Sequence, residues 1–592
     1  MPTVSGQGVI YFLAICTQGK NAMNVMPQNN RGLIPVVIGV TGHRDIPPQD
    51  FDVLQRSSHK ALCEIEAHTP NSPHVLVSCI AEGADRIAAN CALNLGWILG
   101  VVLPATVDVY ERDFTSQQSK DEFHRLLNAA AWVEVANDAD PTKSNYIAAS
   151  IRLMQQSQLL LAYWDSKSIG LTGGTSYVVD LFLSEIAHSG NGPSGNMQLD
   201  ARPVFHILTK RLSDPSYILP GKVGDGKWLT PNLYGAIGTS EIDRWWEILR
   251  HADLFNLNAT IFYKSHFSLI ERSREWLDGK KPNVEPTVFP VVDNCGWMFS
   301  IADAMSVAAQ NQRDRIFLKL IGLAMLAITF EQIYANVYSH QATLGLAIFF
   351  GVTALFIYKQ GKKERIENCY LDYRSLAEAC RVQYFWARAG IQASAANYFL
   401  LGQRDELEWL RQAVRSNELS NDVSSLLQSN SMLELDEIKI RWVENQRDYF
   451  RKAAERDEKR SKVWSSRASV LFALGVTAVV ILAMTKAFLV EHFGDVGDVL
   501  AQCTSLAYGL LFAAAGLIKV YQGIKAFNEH SRSYRKGNLL MQRANQRLVA
   551  ALSNNDTKLA QQIFYEIGCE SLDENGDWLL LHRDRPVEVP LG

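Results

Sequence analysis

The chain has 592 residues, 47% of them hydrophobic and 20% charged, with a formal net charge of −4. That length exceeds what one core organises, so several domains are expected, and the near-balanced charge excludes the basic excess usual in nucleic-acid-binding proteins. Nine cysteines are scattered without a CxxC, and no Cys/His group has metal-ligand spacing, so a reducing compartment is expected and neither disulfides nor zinc.

Residues 1–30 read as a disordered leader. Their apolar run, Val9–Cys16, has no basic segment before it and is too short for a signal peptide or a membrane span, and Met23 and Met26 offer later starts close to the first domain. From Leu33 apolar runs alternate with amphipathic stretches. Strands are expected at Pro35–Val40, His74–Ser78, Trp97–Leu103, Ala131–Val135, Gln158–Trp164 and Pro203–Leu208, with helices near 50–67, 83–95, 110–130, 143–156 and 176–188. Strict alternation implies an α/β doubly wound parallel sheet, Rossmann-like, whose ligands bind beyond the carboxyl ends of the strands.

Three loops at those ends carry the chemistry. The first strand runs into Gly39, Val40, Thr41, Gly42, His43, Arg44 and Asp45, where glycine permits close backbone approach and free N–H groups suit an anion. This is not GxGxxG. The second strand leads through Ser78 and Cys79 to Glu82, Gly83, Asp85 and Arg86, with Gly83 marking a turn, Glu82 or Asp85 able to cap the next helix and Arg86 able to reach a phosphate. The fifth is followed by Gly170, Gly173, Gly174, Thr175 and Ser176, a glycine-rich turn with hydroxyl donors. Glycines also make compact turns with no ligand, but three such loops at strand ends favour a shared site. The candidate ligand-binding set is therefore Gly39, Thr41, Gly42, His43, Arg44, Ser78, Glu82, Gly83, Asp85, Arg86, Gly173, Gly174, Thr175 and Ser176. No catalytic residue, metal or cofactor is assigned.

Residues 210–300 say less. SEIDRWWEILRHADLFN reads as an amphipathic helix, His206 and His251 as structural, and Asp303–Arg315 as a helix leading into the membrane and linking the α/β domain to the apolar stretches beyond it. Four such stretches occur, at about Ile316–Tyr334, Thr343–Tyr358, Ala468–Thr485 and Val499–Ile518, giving four expected transmembrane helices in two hairpins within an all-α membrane region. Arg313 and Arg315 precede the first hairpin, and Lys359, Lys362, Lys363 and Arg365 come after it, whereas its turn (335–342) has neither Lys nor Arg. Arg460, Lys462, Arg467, Lys519 and Lys525 flank the second, whose tip holds Glu491, Asp495 and Asp498 against Lys486. The positive-inside rule puts both termini and the α/β domain in the cytoplasm, on an inner membrane. Tyr373-Arg374 and Tyr534-Arg535 lie beyond the two hairpins at matching distances, which reads as a duplicated unit. Between them, Leu435, Ile438, Trp442, Tyr449 and Ala453 share a helical face. The expected organisation is 31–300 for the α/β unit (core 33–210), 301–400, 401–467 and 468–550 for hairpins and cytoplasmic helices, and 551–592 for a tail.

GVTGHRD, SCIAEGADRIAA, VVLP with YERDF downstream, and GGTSYVV, in this order over about residues 33–210, resemble the SLOG superfamily, Rossmann-like domains related to the Lonely guy phosphoribohydrolases and the DNA-processing protein A fold. The first hairpin with YRSLAEACRVQYFWARAG (373–390) resembles the SLATT family of two-helix membrane effectors. The resemblance implies a nucleotide-derived ligand, a homo-oligomer in the lipid bilayer and an association with nucleotide-messenger defence in bacteria. It also carries a departure. Hydrolytic relatives have GGxGTxxE, whereas the residue three after Thr175 is Val178, and Asp180 lies about 200° round the helix from Val178. Binding is thus favoured over hydrolysis. The expected function is a ligand-gated membrane effector, and the alternatives are a membrane-anchored phosphoribohydrolase-like enzyme, with Glu82 as a conceivable carboxylate, and an interaction scaffold.

Overall fold

The computed structural model describes residues 31–136, 143–167, 174–184, 202–230, 241–279, 291–363, 366–391, 393–399, 407–416 and 432–583. The expected leader, 1–30, lies outside them.

Strand and helix alternate as the apolar runs require: β1 (Val36–Gly42), α1 (Phe51–His68), β2 (His74–Ser78), α2 (Ala84–Asn94), β3 (Ile98–Leu103), α3 (Gln117–Ala129), β4 (Trp132–Val135), α4 (Lys143–Gln156), β5 (Leu159–Trp164), α5 (Thr175–Leu183) and β6 (Val204–Leu208). A seventh strand, β7 (Gly226–Leu229), which the sequence reading misses, pairs antiparallel to β6 at the sheet edge. The order is β4-β3-β2-β1-β5-β6-β7, with every pair but the last parallel. The chain leaves β1 towards one edge and returns beside it at β5, so the topological switch point lies between these two strands. Two cores cover the sheet, one around Leu76, Leu99 and Phe123 and the other around Val37, Val75 and Phe182.

The rest is helical: α6 (Glu241–Asp278), α7 (Val291–Asn336), α8 (Gln341–Lys363), α9 (Ile366–Arg388), α10 (Glu408–Arg415), α11 (Met432–Ile438), a π-turn (Lys439–Glu444), α12 (Asn445–Lys525), α13 (Phe527–Ser553) and α14 (Thr557–Arg583). The expected tail thus contains a packed helix. Phe564 of α14 is fully buried with Trp386 and Trp442, and Trp386 Nε1 donates to Phe564 O at 3.1 Å. Leu435, Ile438, Trp442 and Ala453 are buried as their spacing predicts, while Tyr449 is partly exposed.

This helical body grips the lower edge of the sheet, where the strands begin. Asn256 of α6 accepts from Ile34 N–H (2.7 Å) and donates to Ile34 O (2.8 Å) and Ser72 Oγ (2.9 Å). Asp253 accepts from Asn71 and Ser72, Asn294 of α7 accepts from Gly32 N–H (2.6 Å), and Gln158 donates to Gln412 O (3.0 Å).

Three helical runs are long and apolar enough to cross a membrane by length and composition: Asn294–Asn336, Gln341–Gly361 and Met432–Ser553. Their exposed faces carry Leu318, Phe349, Phe356, Phe472, Ile481 and Met484, an apolar surface far beyond what a water-soluble monomer presents. The expected four helices are corrected to three helical runs, because both later stretches lie in α12, which non-helical backbone at Gly494 divides into two limbs. That helix folds back at Gly494 (φ 51°, ψ −129°), a conformation open to glycine. Phe472 and Phe512, which an unbroken helix would hold about 60 Å apart, have ring centroids 5.4 Å apart. The fold-back packs on α7, with Lys525 Nζ 2.6 Å from Asp314 and the Tyr521 ring stacked on Phe317.

Asn256→Ala leaves Ile34 N–H and C=O without partners in a buried place. It is expected to cost about 2–4 kcal/mol of stability and to speed amide exchange at Ile34. Chemical denaturation and hydrogen exchange of the detergent-solubilised chain test this, and unchanged values for both would contradict the docking of the helical body on the sheet.

Candidate functional site

Backbone hydrogen bonds tie the loops at the carboxyl edge together. His43 N–H donates to Tyr163 O (3.2 Å), Ala84 N–H to His43 O (3.1 Å) and Leu212 N–H to Asp45 O (2.7 Å), so the loops after β1, β2, β5 and β6 form one surface at the switch point. Gly83 sits where this is tightest. Its φ is 79°, and a Cβ would stand 2.5 Å from Arg44 O and 2.6 Å from His43 O. Gly42 is pressed in the same way against Ala84 and Tyr163. Gly39 is elsewhere: it lies mid-strand beneath α4, against Ser157 and Leu153, and serves packing. Thr41 is half-buried near the end of β1, where it pairs with Ala162.

The polar residues of the second loop are turned inward. Asp85 accepts from Ser78 Oγ (3.2 Å) and Ala81 N–H (3.4 Å), while Ser78 Oγ accepts from Ile80 N–H (2.9 Å). Burial pushes the Asp85 carboxyl up to about 6 against these bonds. Arg86, expected to reach a phosphate, instead donates to Ile80 O, to Ser119 O (2.9 Å) and Oγ (2.8 Å) and to Glu122 (3.3 Å), with its guanidinium 4.6 Å from the Phe114 ring centre. Glu82 accepts from Ser119 Oγ. This group holds the loop in shape by pinning it to α3.

His43 is likewise committed. It is buried, with Nε2 accepting from Asp165 N–H (3.1 Å) and lying 3.3 Å from Asp165 Oδ1. Arg211, from the loop after β6, reaches both ring nitrogens (3.2 and 3.0 Å) and Asp165 Oδ2 (3.3 Å). Burial, and then the Arg211 charge, lower the His43 pKa below its ordinary value, so the ring is neutral at neutral pH. Asp45 is held by Ser213 through both N–H and Oγ.

Two cationic side chains at this edge stay partly open to solvent. The Arg44 side chain is 44% exposed, 3.2 Å from Asp113 and 5.4 Å from the Tyr146 ring centre, and Tyr146 OH donates to the same Asp113 oxygen at 2.6 Å. Arg211 is 28% exposed. At α5, Gly174 takes the N-cap position, where glycine has no side chain to cap the helix, with half-buried Thr175 and buried Ser176 beside it. Gly173 lies outside the described residues. Val178 is buried in the core and Asp180 is exposed.

Sequence reasoning missed Asp165, Arg211, Asp113, Tyr146 and Ser119. Asp165 carried a signal, as the polar residue directly after β5, at the strand end where ligands bind. Asp113 lies within YERDF, whereas Ser119 of α3, Tyr146 of α4 and Arg211 of the loop after β6 come from elements remote in sequence with no motif to flag them. The chain matches no protein-family model and no curated protein.

Asp85 has a folded pKa raised from 3.8 to about 6, so its contribution to stability is full below about pH 4 and is lost as pH rises through 6. Asp85→Asn is expected to remove this component, flattening the pH dependence of the melting temperature between pH 4 and 7 relative to wild type. Identical pH profiles for the two proteins would contradict a strained buried carboxylate.

Proposed function

We propose that this chain is a membrane-bound sensor and effector that binds a nucleotide-like anion at the β1/β5 switch point and passes binding to its apolar helices. The observation that carries this reading is the presence of two partly open guanidinium groups, Arg44 and Arg211, on the loops that His43 and Asp165 tie together at the switch point, in a chain that also exposes three long apolar helical runs. Guanidinium groups bind anions, and open α/β sheets place ligands at such crevices. In this reading His43, Asp85 and Arg86 position the loops, and Arg44 and Arg211 touch the ligand.

No reaction is assigned. Val178 fills the core where the hydrolytic SLOG relatives carry glutamate, and Glu82 is engaged by Ser119. The family resemblance, with its link to bacterial defence and to nucleotide messengers, supports binding over hydrolysis.

The fold at Gly494 gives α12 two apolar limbs, so that with α7 and α8 the chain crosses an inner membrane four times. The Lys and Arg flanking both hairpins, against a first turn free of them and an acidic second tip, support a cytoplasmic α/β domain and cytoplasmic termini. Homo-oligomers would let ligand binding alter the packing of these hairpins and perturb the bilayer.

The test uses the full chain in mild detergent, screened by thermal shift against mono-, di-, cyclic and ADP-ribose-type nucleotides. At least one is expected to raise the melting temperature by several degrees at saturation, with the shift lost in Arg44→Ala and Arg211→Ala, and to release dye from liposomes holding the protein. A flat screen, or a shift that both variants keep, would contradict the site.

A further inference from the structure

A cavity of about 620 Å³ opens between the two limbs of α12, close to where they meet the cytoplasmic helical body. That volume lies within the ~300–1,000 Å³ of ligand-sized sites. Its walls have a clear polarity. On the returning limb Phe512, Ala515, Gly516 and Lys519 line it at helical spacings i, i+3, i+4 and i+7, one continuous stripe that runs from an aromatic ring to an ammonium group about 10 Å further along the axis. On the outgoing limb Phe472 faces it, 57% exposed, with Ala468 below. The small residues make the notch, and a Cβ added at Gly516 would meet no atom within 4 Å.

The charges at its base are what set this groove apart. Lys462 pairs with Glu458 (2.7 Å) and Lys525 with Asp314 (2.6 Å), but Lys519 forms no ion pair among the described residues and lies 3.4 Å from Ser465 Oγ. Arg467, also without an ion pair among the described residues, lies with its guanidinium 4.9 Å from the Trp464 ring centre. A neutral helix would cover the apolar wall and leave both cations unanswered. A molecule with an apolar tail and an anionic head answers both.

We propose that this cavity binds an anionic phospholipid of the cytoplasmic leaflet, its acyl chain against Phe472 and Phe512 and its phosphate on Lys519, with Arg467 beside it. Trp464 then sits at headgroup depth, where indole rings concentrate. The site rests on the reading of α12 as membrane-spanning. It would make the hairpin's packing depend on the lipid composition of the inner leaflet.

The test is native mass spectrometry of the full chain in mild detergent, with phosphatidylglycerol and phosphatidylcholine supplied equally. Wild type is expected to retain phosphatidylglycerol over phosphatidylcholine by about fivefold per basic side chain engaged, the size set by one Lys or Arg at an anionic surface. Lys519→Gln should lower the ratio by about fivefold, and Gly516→Leu, which fills the notch, should lower retention of both lipids. Equal retention by wild type, or a ratio that Lys519→Gln leaves unchanged, would overturn the proposal, as would a doubled mass holding no lipid, which would give the cavity to a second copy. An alkaline wash of membranes from the same cells separates the two levels. Protein released to the supernatant would remove the spanning reading and the site together, whereas protein kept in the pellet without a lipid preference would remove the site alone.

Discussion

Everything in this molecule hangs on the continuity of α7. An α-helix keeps its direction because each turn is hydrogen-bonded to the next, and 46 residues, Val291–Asn336, give a rod about 69 Å long. Its first turns are fixed to the start of β1 through Asn294, and the next ones are buried among α6 and α9 as Trp297, Phe299 and Met305. Beyond these comes a polar run, Gln310–Arg315, and then an apolar stretch from Ile316 that is half-buried or exposed except at Phe317. The rod therefore joins the lower edge of the sheet to the apolar hairpins without an intervening hinge, and the ion pair between Asp314 and Lys525 ties the second hairpin to the same rod.

For the proposed sensor, that geometry sets a constraint on signalling. The candidate ligand surface is at the carboxyl edge of the strands, and the helical body grips the opposite edge. Information from Arg44 or Arg211 has to cross the sheet, and the fold offers two routes: along β1 itself, from His43 back to Ile34 and Asn256, and along β5, from Asp165 back to Gln158 and Gln412. These are the two strands flanking the switch point, so a ligand that drew their loops together would act on both docking contacts. A half-buried charged group between α7 and α9, with Arg374 bonded to Asp303 and Glu378, adjoins Tyr373, whose hydroxyl accepts from Asn258 of the docking helix α6. A network of this kind is costly to break and stable when whole, which suits an element with two discrete arrangements.

Much of the fold was legible in the sequence. Five of the six parallel strands are largely buried apolar runs and β4 is a half-exposed one, and their ends fall within two residues of those read from the pattern. β7 was not legible, because GKWL is four residues long, its first two exposed, and held in place by β6 rather than by its own periodicity. The hydropathy pattern located both later apolar stretches but could not show that one helix carries them, since Gly494 rather than a loop makes the reversal. That the loops after β1, β2 and β5 meet at one edge was legible, and the roles of their side chains less so. Gly42 and Gly83 mark real points of contact, whereas Arg86 and His43 are spent on neighbours, because residue type tells what a side chain can bond to and not which way it turns. Arg211 comes from the loop after β6 and Tyr146 from α4, both remote in sequence from β1, and only the folded sheet brings them beside Arg44 and His43.

The central claim is that one anion-binding edge and one membrane bundle are coupled through a rigid helix. Hydrogen–deuterium exchange on the full chain in lipid, with and without the nucleotide that binds, tests it most directly. Coupling of this kind predicts slowed exchange at residues 43–45, 79–83 and 174–176 together with a change at the docking contacts around Ile34 and in the buried turns of α7. Protection confined to the loops, with the docking contacts and α7 unaltered, would contradict it.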